Sequence, residues 1–163
     1  MMKLWYEIRM LKRDYEGQNC SVARALEILG ERWTLLVIRD VLLGFHRFDQ
    51  IQQHLGIARN VLATRLERLV EEGILEQVAY SEAPPRYEYR ITDKGRDLDI
   101  AFAGLRQWGD KYLSPKPPRV MVRKSNGKPV VAGYVEVGER VLKPDEIELI
   151  PGPGFNLPAT RRR

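Results

Sequence analysis

Apolar positions between residues 47 and 72 recur three and four apart: Phe48, Ile51 and Leu55, then Val61, Leu62, Leu66, Leu69 and Val70. Gly56-Ile57 interrupts the run. The pattern predicts two short amphipathic helices joined by a tight turn. After Gly73 the period changes. Leu75, Val78 and Tyr80, then Tyr87, Tyr89 and Ile91, predict two strands, with Ser81-Glu82-Ala83-Pro84-Pro85-Arg86 as a turn-rich tip. Helix, turn, helix and hairpin make a winged helix. That fold reads duplex nucleic acid, and the expected partner is double-stranded DNA.

Two more helices precede this unit. Ser21 is expected to cap the first, with Val22, Ala25, Leu26 and Leu29 as its apolar stripe and Gly30 as its end. The second is expected over residues 32–43, with Trp33, Leu36, Val37 and Val41 inward and Gly44 closing it. Residues 1–19 place Leu4, Ile8, Leu11 and Tyr15 at helical spacing and predict an arm helix. After the hairpin, Thr92 can cap one long helix over residues 93–113. Its apolar positions Leu98, Phe102, Leu105, Trp108 and Tyr112 exceed what one small core needs, so pairing with a second copy is expected.

The prolines of Ser114-Pro115-Lys116-Pro117-Pro118 end that helix. Beyond them, Val120-Met121-Val122 and Pro129-Val130-Val131 flank an Asn126-Gly127 hairpin turn. Tyr134-Val135, Val137, Val141-Leu142 and residues 147–150 predict further short strands. The expected fold is therefore mainly α with a small β-hairpin wing, a winged helix-turn-helix domain plus a small β-rich C-terminal appendage. The segments are an arm helix (1–19), the DNA-binding and dimerisation domain (20–113), a linker (114–118), the β-rich tail module (119–155) and a mobile basic tail (156–163).

The 163 residues carry 44% hydrophobic and 30% charged side chains, a globular balance, with 27 Lys and Arg against 22 acids. The resulting +5 fits a polyanion partner without requiring one. A single cysteine excludes an internal disulfide or an all-cysteine zinc site. No apolar run approaches a membrane span and charges break the first residues, so a cytoplasmic protein is expected. No phosphate loop, metal spacing or nucleophile turn is present, and neither an enzyme nor a cofactor is expected. His46 and His54 read as surface or hinge residues.

The second motif helix, about 20 Å long at the standard rise, offers Arg59, Asn60, Thr64, Arg65 and Arg68 opposite its apolar face. Arg can grip guanine, Asn adenine, and Thr a thymine methyl. Asn60, Thr64 and Arg65 are the candidates for base edges, and Arg59 and Arg68 for phosphate. Arg47 precedes the first motif helix and could hold phosphate with that helix's free amides. Arg86 at the wing could enter the minor groove. The same module used for protein contacts is the alternative; an acidic or apolar outer face would favour it.

The run CSVARALEILGERWTLLVIRDVLLGFHRFDQIQQHLGIARNVLATRLERLVEEGIL, followed by PPRYEYRITDKGRDL, resembles the HxlR-type transcriptional regulators, relatives of the MarR group, over residues 20–112. The resemblance implies a homodimer on near-palindromic operators, repressing or activating nearby genes. It also implies that Cys20, which matches a cysteine used by several such regulators, could sense oxidants or electrophiles, with a buried, inert thiol as the alternative. The chain departs from the family at Ala58, where Ser or Thr is usual. The tail resembles a zinc ribbon of longer members and keeps Pro151-Gly152-Pro153-Gly154. It carries Asn126, Tyr134 and Val137 at the cysteine positions. No metal is expected, and Tyr134 and Val137 are expected to fill a small apolar core. An oxidant or small molecule could act as effector.

Overall fold

A computed structural model describes Tyr15 and residues 18–114, 116–135 and 141–142. The arm helix and the basic C-terminus of the sequence analysis lie outside these residues, except Tyr15, Gln18 and Asn19. Helices α1 (Ser21–Leu29), α2 (Thr34–Leu42), α3 (Phe48–Leu55) and α4 (Arg59–Glu71) lead into β1 (Leu75–Glu82) and β2 (Pro85–Ile91). A short α5 (Asp93–Arg96) and α6 (Asp99–Tyr112) follow, then the small strands β3 (Tyr134–Val135) and β4 (Val141–Leu142). The winged helix-turn-helix fold is thus as the periodicity predicts.

One core joins α2, α3, α4 and the root of the wing. Val37, Ile38 and Val41 of α2 meet Ile51 of α3, Leu62, Leu66 and Leu69 of α4, and Leu75 of β1, all fully or almost fully buried. Leu36, expected inward, is instead exposed, and Ile38 takes the inward place. The reason lies at the start of α2: the helix begins at Thr34, and Trp33 before it adopts a left-handed backbone at φ 80°. α1 also departs from expectation. Cys20 occupies the N-cap position and Ser21 is the first helical residue, with no side-chain cap. Ala23 is buried, Ile28 and Leu29 pack on the core, and Val22 and Leu26 face out.

The wing is longer and tighter than predicted. β1 and β2 pair antiparallel from Leu75–Ile91 out to Glu82–Pro85, leaving only Ala83-Pro84 as the turn. The register slips between Ala79 and Ser81, so Tyr80 sits on a bulge. A third chain segment joins the sheet. The Tyr89 amide donates to the His46 carbonyl at 2.7 Å, His46 Nδ1 contacts the Tyr89 carbonyl oxygen at 3.1 Å, and Arg47 bridges to Glu88.

The single long helix expected after the wing is broken. Leu98 bonds back only three residues, to the Gly95 carbonyl at 3.2 Å, and separates α5 from α6. Packing at Gly95 explains the break. A Cβ there would strike the Ile74 carbonyl oxygen and the Ile91 side chain. Thr92 accepts from the Gly95 amide at 3.1 Å and lies 2.7 Å from the Gly73 carbonyl, to which its hydroxyl donates. Lys94 donates to the Glu72 carbonyl at 2.5 Å. The TDKG sequence therefore ties the end of α4 to the start of the C-terminal helices.

The tail hairpin is narrower than predicted, a single bridge between Val122 and Pro129 closed by the Asn126-Gly127 turn. β3 pairs with β4. Tyr134 is 58% exposed, so it does not form the small apolar core expected of it. Val137 lies outside the described residues.

Gly95→Ala should destabilise the protein by about 1–3 kcal/mol, the usual cost of overpacking a filled site. Thermal or urea unfolding checks this, and unchanged stability would show that the junction relaxes freely.

Candidate nucleic-acid interface

Three surfaces converge near the start of α3: the first turn of α4, the root of the wing and α3 itself. The buried row Leu62, Leu66 and Leu69 fixes the roll of α4. At 100° per residue, that row turns Asn60, Thr64, Glu67 and Glu71 directly outward. All four are exposed. Thr64 Oγ1 donates to the Asn60 carbonyl at 3.1 Å, which engages its hydroxyl in its own helix and leaves its methyl outward.

Arg59 opens α4 and lies over the Phe48 ring at 4.8 Å. Arg47 lies over the Tyr80 ring at 4.5 Å and contacts Glu88 at 3.5 Å. The Arg47 amide donates to Gln50 Oε1 at 3.1 Å, which closes the start of α3. The negative face of an aromatic ring attracts a guanidinium placed within about 6 Å of it. The bulge at Tyr80 is what brings that ring beneath Arg47, so the wing and α3 share one cation. Burial against the apolar core pushes the Tyr89 phenol above its ordinary range.

The remaining candidates sit differently. Arg65 is on the flank of α4, mostly buried, paired with Glu31, with Nε donating to the Arg32 carbonyl at 3.3 Å. Arg68 pairs with Glu72 at 2.7 Å and Glu71 at 3.8 Å on its own helix. Arg86 is exposed near the wing tip, with no ion pair among the described residues. Cys20 is a free, exposed thiol at the head of α1. Of the apolar positions on the last helix, Leu98 and Phe102 pack on the core, whereas Leu105, Trp108 and Tyr112 face out.

Sequence reasoning missed one buried constellation. Asp40 is fully buried in α2, yet its carboxylate meets His54 Nδ1 at 2.6 Å and Arg39 Nη2 at 2.6 Å. The His54 ring stacks on Phe45, centroids 4.3 Å apart. His54 closes α3, so this cluster clamps the end of α3 to α2. The available signal was an acid inside the otherwise apolar run TLLVIRDVL. Among the described residues no group of three or more His, Cys, Asp or Glu could hold a metal, and no helix is long and apolar enough to cross a membrane.

A helix–turn–helix with a hairpin wing, its second helix presenting Asn60 and Thr64 beside two aromatic-backed arginines, is the DNA-binding domain of a transcriptional regulator. The chain belongs to the HxlR-like helix-turn-helix family, which matches residues 28–117. It is 42% identical over 153 residues to the HTH-type transcriptional regulator Rv3095 of Mycobacterium tuberculosis (strain H37Rv), a match spanning 89% of this chain and 92% of that one. A match of that length extends beyond the family domain into the tail. The crystal structure of PA1607 is similar at TM-score 0.72 and 35% identity, covering 83% of this chain and 97% of that one. The reduced form of the transcriptional regulator YodB from Bacillus subtilis is similar at TM-score 0.51 and 31% identity, covering 60% and 98%.

Ala58, the N-cap of α4, makes no side-chain cap, as its departure from the family pattern implies. Ala58→Ser should raise stability by about 1 kcal/mol. Asp40→Ala should lower it by about 2 kcal/mol, below the cost of a fully buried pair because Arg39 and His54 still reach water. Urea unfolding of both variants checks the two signs.

Proposed function

We propose that the protein is a sequence-specific regulator that binds near-palindromic operators as a homodimer. The observation that carries this reading is the outward pair Asn60 and Thr64, flanked by Arg59 and Arg47, each over an aromatic ring. Asn60 pairs with adenine and Thr64 meets a thymine methyl in the major groove. Arg47 and Arg59 grip phosphate on either side, and Arg86 extends from the wing into the minor groove. Arg65 reaches a base only by leaving Glu31, so it ranks behind Asn60 and Thr64. Arg68 touches phosphate once freed from Glu71 and Glu72.

The exposed apolar side chains of the outer helices support dimerisation. Leu105, Trp108 and Tyr112 of α6, with Val22 and Leu26 of α1, remain in water in a single chain. A second copy covers such a surface. It would place two recognition helices about 34 Å apart, one DNA turn.

Cys20 is the proposed oxidant sensor. It is exposed at the start of a helix that also carries part of this apolar surface. The neighbour YodB is a regulator solved in a reduced form, which makes redox state a variable of that protein. A disulfide between subunits or with a small thiol would alter the pairing of the two copies.

Binding to the DNA upstream of the protein's own gene, across a salt series with random duplex as competitor, tests the reading. Asn60→Ala should weaken operator binding by about 1–3 kcal/mol and leave random DNA unchanged. Arg47→Ala should weaken both alike and flatten the salt slope by about 1. Equal losses on both DNAs for Asn60→Ala would remove it from base readout. Diamide should release the wild type and spare Cys20→Ser; the same response from both proteins rules out sensing at this thiol.

A further inference from the structure

The tail hairpin carries charge that the winged helix does not use. Residues 114–135 contain five cations, Lys116, Arg119, Arg123, Lys124 and Lys128, and no acid. All five are exposed, and none forms an ion pair among the described residues. This differs from α4, where Arg65 and Arg68 are already matched by Glu31, Glu71 and Glu72.

The fold also concentrates these charges. The Arg123 amide donates to the Lys128 carbonyl at 2.8 Å, so two like charges stand on facing positions of the hairpin. Lys124 follows at the turn, which is fixed by the Gly127 amide on the Arg123 carbonyl at 2.8 Å and by the Lys128 amide on Asn126 Oδ1 at 3.0 Å. Like charges facing each other across a strand pair repel. Nothing in the hairpin offsets that repulsion, whereas a polyanion laid across it would. The hairpin is held to α6 through Gln107, whose amide nitrogen donates to the Ala132 carbonyl at 3.3 Å and whose oxygen accepts from the Ala132 amide at 3.0 Å.

We propose that this hairpin is a second DNA-binding site, gripping the phosphate backbone through Arg123, Lys124 and Lys128 independently of base sequence. The inference rests on the DNA-reading function proposed above. DNA is the favoured polyanion because the hairpin is joined to a DNA-binding domain, so once the recognition helices dock, the flanking phosphates are present at high effective concentration. Cations that touch phosphate release condensed counterions, and each contact adds about 0.9 to the dependence of log affinity on log salt.

The test uses the full chain with Arg123→Gln, Lys124→Gln and Lys128→Gln combined, beside wild type and Arg47→Ala, on a duplex of about 40 base pairs, roughly twice the span of two half-sites. The expected result is a salt slope shallower by about two to three for the hairpin variant, the same on operator and random DNA. An unchanged slope overturns the proposal. If Arg47→Ala flattens the slope and the hairpin variant does not, the hairpin alone is wrong. If the wild type itself shows no salt-dependent binding, the DNA reading itself fails. A fallen melting temperature with an unchanged slope also overturns it, because the cations would then serve the tail's own acids, Glu136 to Glu148 in sequence.

Discussion

The apolar seam of α4 against α2 and α3 is the constraint on which the rest depends. Leu62, Leu66 and Leu69 are all fully buried, at steps of four and three along the helix. A side chain of that size contributes about 1.5–3 kcal/mol when taken from water. The row therefore fixes the roll of α4, and the roll decides which polar residues look outward. Rotating the helix by one residue would bring part of that row into water and turn Asn60 or Thr64 toward the core, and both changes cost free energy. Which side chains α4 turns outward is a consequence of packing on its opposite face.

That logic explains what could be read from sequence. Period 3.6 followed by period 2, punctuated by Gly56 and Gly73, was enough to place α3, α4 and both strands of the wing. It was not enough to tell which apolar residues find a neighbour. Val22, Leu26 and Leu36 obey helical spacing and still face water, because spacing records amphipathicity and not the identity of the covering surface. The break between α5 and α6 was hidden for a different reason: Gly95 is pressed against the Ile74 carbonyl, a contact across the wing. The Arg65–Glu31 and His54–Asp40 pairs join separate elements, and no local pattern announces them.

Charge is distributed unevenly in a way that the net value conceals. Along α4 the acids Glu67, Glu71 and Glu72 answer the arginines toward the C-terminal end, leaving the first turn the more basic one. Around that turn, Phe48 and Tyr80 support Arg59 and Arg47 with aromatic faces. The cation with a carboxylate beside it there, Arg47, shares Glu88 at 3.5 Å, a surface pair of small worth that an incoming phosphate can displace. The tail hairpin takes the opposite course and keeps its cations without acids.

The attachment of that hairpin sets how it behaves in time. Between α6 and the tail lies a cavity of about 200 Å³, lined by Arg106, Gln107, Asp110, Met121 and Val130 among others. Its lining is mostly apolar, and the polar hold across it is two hydrogen bonds with one exposed glutamine. The polar part of that hold is worth about 1–3 kcal/mol in water, less than the three buried leucines that fix α4. On DNA, a tail held this way would move separately from the winged helix. Its hold on the backbone would then follow local groove geometry instead of dictating it.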